Sequence, residues 1–208
     1  MTTVGDADRF RLAVLASGRG SNLGAILDAV SSGDLDMEVA LVASDQGEAP
    51  ALERARGAGV AVQVLEVPSD RHAFGESLLR LLEAYRIDVV ALAGFMRVLP
   101  ASFLAAFPGD VLNIHPSLLP AFPGLDAQAQ ALEYGVKVSG CTVHFVDEGV
   151  DTGPIILQAV VPVDPEDDVD CLSRRILRLE HRLYPQALAL YAERRLQRQG
   201  RRVRIRND

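Results

Sequence analysis

An asparagine and a histidine stand two residues apart at the end of an apolar run, in Leu112 to Pro120 (LNIHPSLLP). In a β-strand, residues i and i+2 point to one face, so Asn113 and His115 would set an amide donor beside an imidazole. Pro116 and Pro120 then stop the strand and turn the chain out of the sheet. Downstream, Val146 to Pro154 (VDEGVDTGP) carries Asp151 in a glycine-flanked loop able to reach the same place. A donor aimed at a carbonyl oxygen under attack is worth ~2.7–4 kcal/mol as that oxygen becomes negative. An imidazole of unperturbed pKa ~6.5 can donate to the same oxygen or to a departing nitrogen. A carboxylate nearby raises that pKa and keeps more of the ring as imidazolium. Together the three groups suit acyl transfer. Each alone has a plainer reading, Asn113 as a partner for strand-end backbone and Asp151 as a local turn before Gly153. The pairing of Asn113 with His115 is what favours chemistry.

Ser17 to Asn22 (SGRGSN) follows an apolar run and opens a helical pattern. Its glycines let backbone approach an anion, and free N–H groups at a helix start favour negative charge. The segment is neither G-x-G-x-x-G nor a P-loop, which needs a Lys-Ser/Thr pair. It suits a phosphate monoester, or is an ordinary strand-to-helix turn capped by Ser21 or Asn22. Among the other histidines, His144 lies three residues after Cys141 in a strand-like run, so the two face opposite sides and make no metal pair. His72 is expected at a solvated helix start. Glu180 and His181 are adjacent in the last helix, which makes one of them a possible pocket residue; a surface charge paired within its helix is the ordinary reading of Glu180.

These groups need a scaffold, and 208 residues, 49% hydrophobic and 24% charged, can bury the core of one α/β domain spanning 1–208. A formal charge of −7 argues against a general nucleic-acid binder. No apolar run approaches the ~20 residues that span a bilayer, and the start carries Asp6 and Asp8, unlike a secretory leader. Two cysteines, Cys141 and Cys171, are too few for a disulfide framework. The expectation is a cytoplasmic protein with a flexible start over 1–9 and a basic tail over 196–208. Seven arginines lie in Arg194 to Asp208, read as a helix end followed by an exposed edge strand with a solvated positive face.

Apolar periodicity predicts strands at Arg11–Ala16, Glu38–Ala43, Val60–Val67, Asp88–Ala93 and Val111–Ile114, with helices between them. Ser69 or Asp70 caps the third helix, and Ala101–Phe107 and Gln128–Tyr134 are short helices. The pattern begins a doubly wound, mostly parallel, Rossmann-like sheet with its site at the carboxyl ends of the strands. Val138–Val146 and Ile155–Val163 lack a long crossover and are expected to pair antiparallel. A long helix from Val169 to about Arg195 closes the fold, with a kink or break near Pro185.

LAGFMRVL (92–99), LNIHPSLLP (112–120), HFVDEGVDTGPIILQ (144–158) and EHRLYP (180–185) together resemble the phosphoribosylglycinamide formyltransferases, a branch of the folate-dependent formyltransferase family. The similarity runs from about Arg11 to Leu190. The resemblance implies transfer of a formyl group from 10-formyltetrahydrofolate to the amine of phosphoribosylglycinamide in purine biosynthesis, with no metal required. It implies that Asn113 and His115 hold and protonate the formyl oxygen while Asp151 raises the histidine pKa and orders a water. Gly20, Ser21 and Asn22 would bind the substrate phosphate and Glu180 the ribose hydroxyls. Met96, Arg97, Val98 and Leu99, with Asp147, Glu148, Gly149 and Val150, would line the pterin pocket, and Arg71 would contact the folate.

The partners so implied are the two small molecules, with neither nucleic acid nor membrane, for a monomer or weak homodimer. One departure stands out. After Pro123-Gly124-Leu125 the family commonly has histidine, and this chain has Asp126, which is expected to alter binding or the pH profile rather than abolish activity. Formyltransferases that add an RNA-binding domain and deformylases that add a regulatory one are expected to be longer than this chain. The alternatives are a formyltransferase acting on a nucleotide-linked amino sugar, or a non-catalytic phosphate-binding module using only the SGRGSN turn.

Overall fold

Strands that are apolar on both faces form the centre of the sheet. In the computed structural model, which describes residues 9–206, β1 (Phe10–Leu15) sends Leu12 and Val14 to one face and Ala13 and Leu15 to the other, all fully buried. β4 (Val89–Leu92) is likewise buried throughout, as a parallel strand covered on both sides must be. β2 (Met37–Ser44), β3 (Val62–Val64) and β5 (Asp110–His115) extend this parallel part. β6 (Val138–Phe145) and β7 (Ile155–Pro162) then run antiparallel beside β5. A hairpin of β8 (Leu196–Gln199) and β9 (Arg202–Ile205) completes nine strands among the described residues, in the order β3-β2-β1-β4-β5-β6-β7-β9-β8. The expected flexible start lies, apart from Arg9, outside the described residues, as do the last two residues of the basic tail.

Helices cover both faces. α1 (Ser21–Ser32), α2 (Pro50–Gly57), α5 (Ala127–Tyr134) and α6 (Val169–Ala192) pack on the face of Leu12 and Val14. α3 (Arg71–Ala84) and α4 (Ala101–Ala106) pack on the other through Phe74, Leu78, Leu82 and Phe103. Asp70 caps α3, its side chain accepting from the His72 amide at 2.9 Å.

Two expectations are corrected. The third strand is Val62–Val64 rather than Val60–Val67, because at the sheet edge it pairs with β2 at only three positions. The last helix runs through Pro185 without a break. Proline removes one helical hydrogen bond, but Leu183, Tyr184, Ala187 and Leu188 are buried on either side of it. Tyr184 also anchors the helix to the site: its hydroxyl lies 3.0 Å from the Leu92 carbonyl and 2.9 Å from that of Leu112, at β4 and β5.

Among the described residues no helix is long and apolar enough to cross a membrane.

Candidate active site

The carboxyl ends of β1, β4 and β5 open onto a cavity of about 750 Å³, the position that the doubly wound topology favours. Three of its polar side chains come from the β5–β6 pair. Asn113 stands opposite His144 and His115 opposite Thr142, and directly opposed residues of an antiparallel pair share a face. The sheet itself thus brings Asn113, His115 and His144 together.

Hydrogen bonds then fix each group. His144 Nδ1 donates to the Phe145 carbonyl at 2.8 Å, leaving Nε2 as acceptor for Asn113 Nδ2 at 3.2 Å. The same amide nitrogen lies 3.3 Å from Asp151 Oδ1. Asp151 Oδ2 accepts from the Gly124 amide at 2.8 Å and lies 3.2 Å from His115 Nδ1. His115 Nε2 donates to the Phe122 carbonyl at 2.8 Å.

Both ring nitrogens of His115 therefore face acceptors. Burial nevertheless holds its imidazole below the usual range: desolvation and the neighbouring His144 outweigh the upward pull of the Phe122 carbonyl and Asp151. Asp151 does pull the ring upward, but burial outweighs that pull in a residue only 5% exposed. Burial raises the Asp151 carboxyl, but the His144 ring 3.6 Å away, the hydrogen bond from the Gly124 amide and the His115 ring 3.2 Å away bring it below the usual carboxylate range.

The loop bearing Asp151 is tightly determined. Asp151 adopts φ 54°, and a Cβ at Gly153 would collide with the Phe145 carbonyl oxygen. A non-glycine residue in that left-handed region persists only where its surroundings hold it.

At the other end of the cavity, Gly20 (φ 67°) leads into α1, where a Cβ would press on Ala51. Gly20, Ser21 and Asn22 line this end, with Glu180 beside them. Asn22 Nδ2 donates to Glu180 Oε2 at 2.9 Å, and both residues are buried. Asn22 Oδ1 has no partner among the described residues. Burial raises the Glu180 carboxyl above its usual range despite the Asn22 bond. His181 lies outside the cavity lining.

Between the ends, Asp45 accepts from Ser17 Oγ at 2.6 Å and from Arg97 Nε at 2.7 Å, while the Met96 amide donates to Ser17 Oγ at 2.9 Å. Asp45 thereby ties the glycine turn to segment 96–99. Burial raises its carboxyl, but the bonds from Ser17, Arg97 and Gln46 bring it below the usual range. Met96, Val98, Leu125 and Val150 rim the cavity with exposed apolar side chains, a surface suited to a flat, largely apolar ligand.

Met96 to Leu99, Asp147, Gly149 and Val150 line the cavity, and so does Asp126. Arg71, at the exposed start of α3, and the exposed Glu148 are outside the lining. Sequence reasoning gave no role to His144, Asp45, or the backbone of Phe122 and Gly124. A cross-strand register would have found His144; main-chain groups carry no residue-type signal. Among the described residues no group of three or more histidine, cysteine or acidic side chains is placed to hold a metal.

The sequence profile described as formyl transferase matches residues 10–188. Over 186 residues the chain is 51% identical to the trifunctional purine biosynthetic protein adenosine-3 of Drosophila melanogaster, a match covering 88% of this chain but only 14% of that protein. It is 42% identical over 180 residues to the phosphoribosylglycinamide formyltransferase of Bacillus subtilis, covering 86% of this chain and 92% of the relative. The crystal structure of glycinamide ribonucleotide transformylase 1 from Symbiobacterium toebii superimposes with a TM-score of 0.95 at 54% identity, over 100% of this chain and 99% of that one.

Proposed function

This chain belongs to the formyl transferase family, and we propose that it transfers a formyl group from 10-formyltetrahydrofolate to the glycinamide amine of phosphoribosylglycinamide. The observation that carries this reading is the meeting of Asn113, His115 and Asp151 in a cavity whose far end is the glycine turn. The relatives' names support the substrates, and nothing among them favours an amino-sugar substrate or a phosphate-binding module. The folate, when bound, supplies the formyl group.

The remaining work falls to side chains of this protein. The α1 start, with Gly20, Ser21 and Asn22, receives the phosphate on free N–H groups. Glu180 and the open Oδ1 of Asn22 receive the ribose hydroxyls. The apolar rim takes the pterin, with Arg97 held in place by Asp45. As the amine attacks the formyl carbon, charge gathers on the formyl oxygen. When that charge returns, the bond from the carbon to N10 breaks, and the proton lost by the amine goes to N10 of the departing tetrahydrofolate. One Asn113 N–H is committed to His144; the other now spans a long 3.3 Å to Asp151 and is the one offered to that oxygen. His115 serves the same oxygen by exchanging the Phe122 carbonyl for it, with Asp151 held against its second nitrogen. Preorganised donors need little rearrangement as the charge develops.

Incubation with glycinamide ribonucleotide and 10-formyltetrahydrofolate, followed by folate absorbance, tests the assignment. Formyl transfer dependent on both substrates is expected; folate turnover indifferent to the ribonucleotide refutes it.

A further inference from the structure

The arginine-rich end of the chain touches the catalytic loop from behind. Arg201, at the tip of the β8–β9 hairpin, donates from Nη2 to the Thr152 carbonyl at 2.9 Å, one residue after Asp151. Its neighbour Arg202 pairs with Ile155, the first residue after the loop to enter β7. Arg198 reaches the loop's other end: its guanidinium lies 4.5 Å from the centre of the Phe145 ring and its Nη2 is 2.7 Å from Asp110 Oδ1. Phe145 is the residue whose carbonyl orients His144 and whose amide donates to the Pro154 carbonyl at 2.9 Å.

Both ends of segment 146–154 are thus gripped by one hairpin. Within that segment Asp151 sits at φ 54°, a conformation that surrounding contacts must over-determine. Two charge-assisted contacts, a cation over an aromatic ring and a guanidinium on a main-chain carbonyl, are of the kind that fixes geometry. The sequence reading of these arginines as a solvated face leaves both contacts unexplained.

We propose that the C-terminal hairpin is a brace for the Asp151 loop, with Arg198 and Arg201 as positioning residues for formyl transfer. The inference rests on the function proposed above. Neither arginine touches substrate. Arg201 fixes the peptide following Asp151, and Arg198 fixes Phe145 and, through its carbonyl, His144. The carboxylate is then delivered to His115 and Asn113 in one geometry.

The test is kinetic and structural together. Arg201→Ala is expected to lower kcat about three- to tenfold with little change in KM, the range expected for one lost hydrogen bond of ordinary strength at the surface. Arg201→Lys, which keeps a cation able to donate to the Thr152 carbonyl, recovers most of it. In an Asp151→Asn background Arg201→Ala costs little more, because the group it positions is already disabled. Equal losses in both backgrounds overturn the proposal, as does unchanged kcat in the Arg198→Ala/Arg201→Ala double variant. Amide exchange supplies a readout independent of the reaction. The 146–154 backbone exchanges faster in the double variant while β1 and β4 keep their protection, and unaltered exchange there overturns the brace even if the chain transfers no formyl group.

Discussion

Two buried polar clusters share this cavity and differ in how completely the protein satisfies them. Around Asp151 the contacts are many: Asn113 Nδ2 meets His144 and Asp151, His115 meets the Phe122 carbonyl and Asp151, and the carboxylate accepts from the Gly124 amide. Around Glu180, a single bond to Asn22 stands beside an amide oxygen with no partner among the described residues. The carboxyl groups respond oppositely, Asp151 lying below its usual range and Glu180 above. A closed network fixes geometry before substrate arrives, which is what stabilising a developing charge requires. An incomplete one leaves capacity that a ligand's hydroxyls can use. Rate is expected to depend on the first cluster and substrate affinity on the second.

Substitutions can break that division. The largest effect is expected in the closed cluster: Asn113→Ala and His115→Ala each lower kcat about 10²–10³-fold, the range for a lost oxyanion donor, while KM for both substrates moves little. Steady-state kinetics checks this, and a variant that instead raises KM at normal kcat places its residue in binding. A smaller effect is expected in the open cluster. Glu180→Gln raises KM for the ribonucleotide about tenfold, the scale of one hydrogen bond to a charged group, with kcat nearly unchanged.

Glu180→Gln also has a signature in stability. Because burial raises the Glu180 pKa, its ionised form destabilises the fold. That penalty is full above the raised native value, shrinks as pH falls, and disappears below the unfolded value near 4.5. The variant should therefore melt higher than wild type at neutral pH, with the difference closing in acid. A difference that widens in acid contradicts the assignment.

The same contrast explains what could be read from sequence. The strands around β1 and β4 were legible because continuous apolar runs buried on both faces admit few alternatives. The pairing of Asn113 with His115 followed from a period of two, and the glycine turn from its place between strand and helix. His144 was not legible, because its place opposite Asn113 depends on the register in which β6 returns beside β5 after the long connection between them. Asp45 escaped because Ser17 and Arg97 reach it from distant parts of the chain. The net fall in the His115 pKa reflects burial, which residue types alone do not report. The arginines of the last hairpin looked like surface charge because a sequence does not show which main-chain carbonyl a guanidinium meets.

A kinetic double-mutant cycle on Asn113 and His115 asks most directly whether both side chains serve one formyl oxygen. If they do, the Asn113→Ala/His115→Ala variant loses far less in kcat than the product of the two single losses, since each alone already disables the shared stabilisation. Losses that multiply in full would mean that the two side chains act at separate points of the reaction, and the convergence on which this account rests would be wrong.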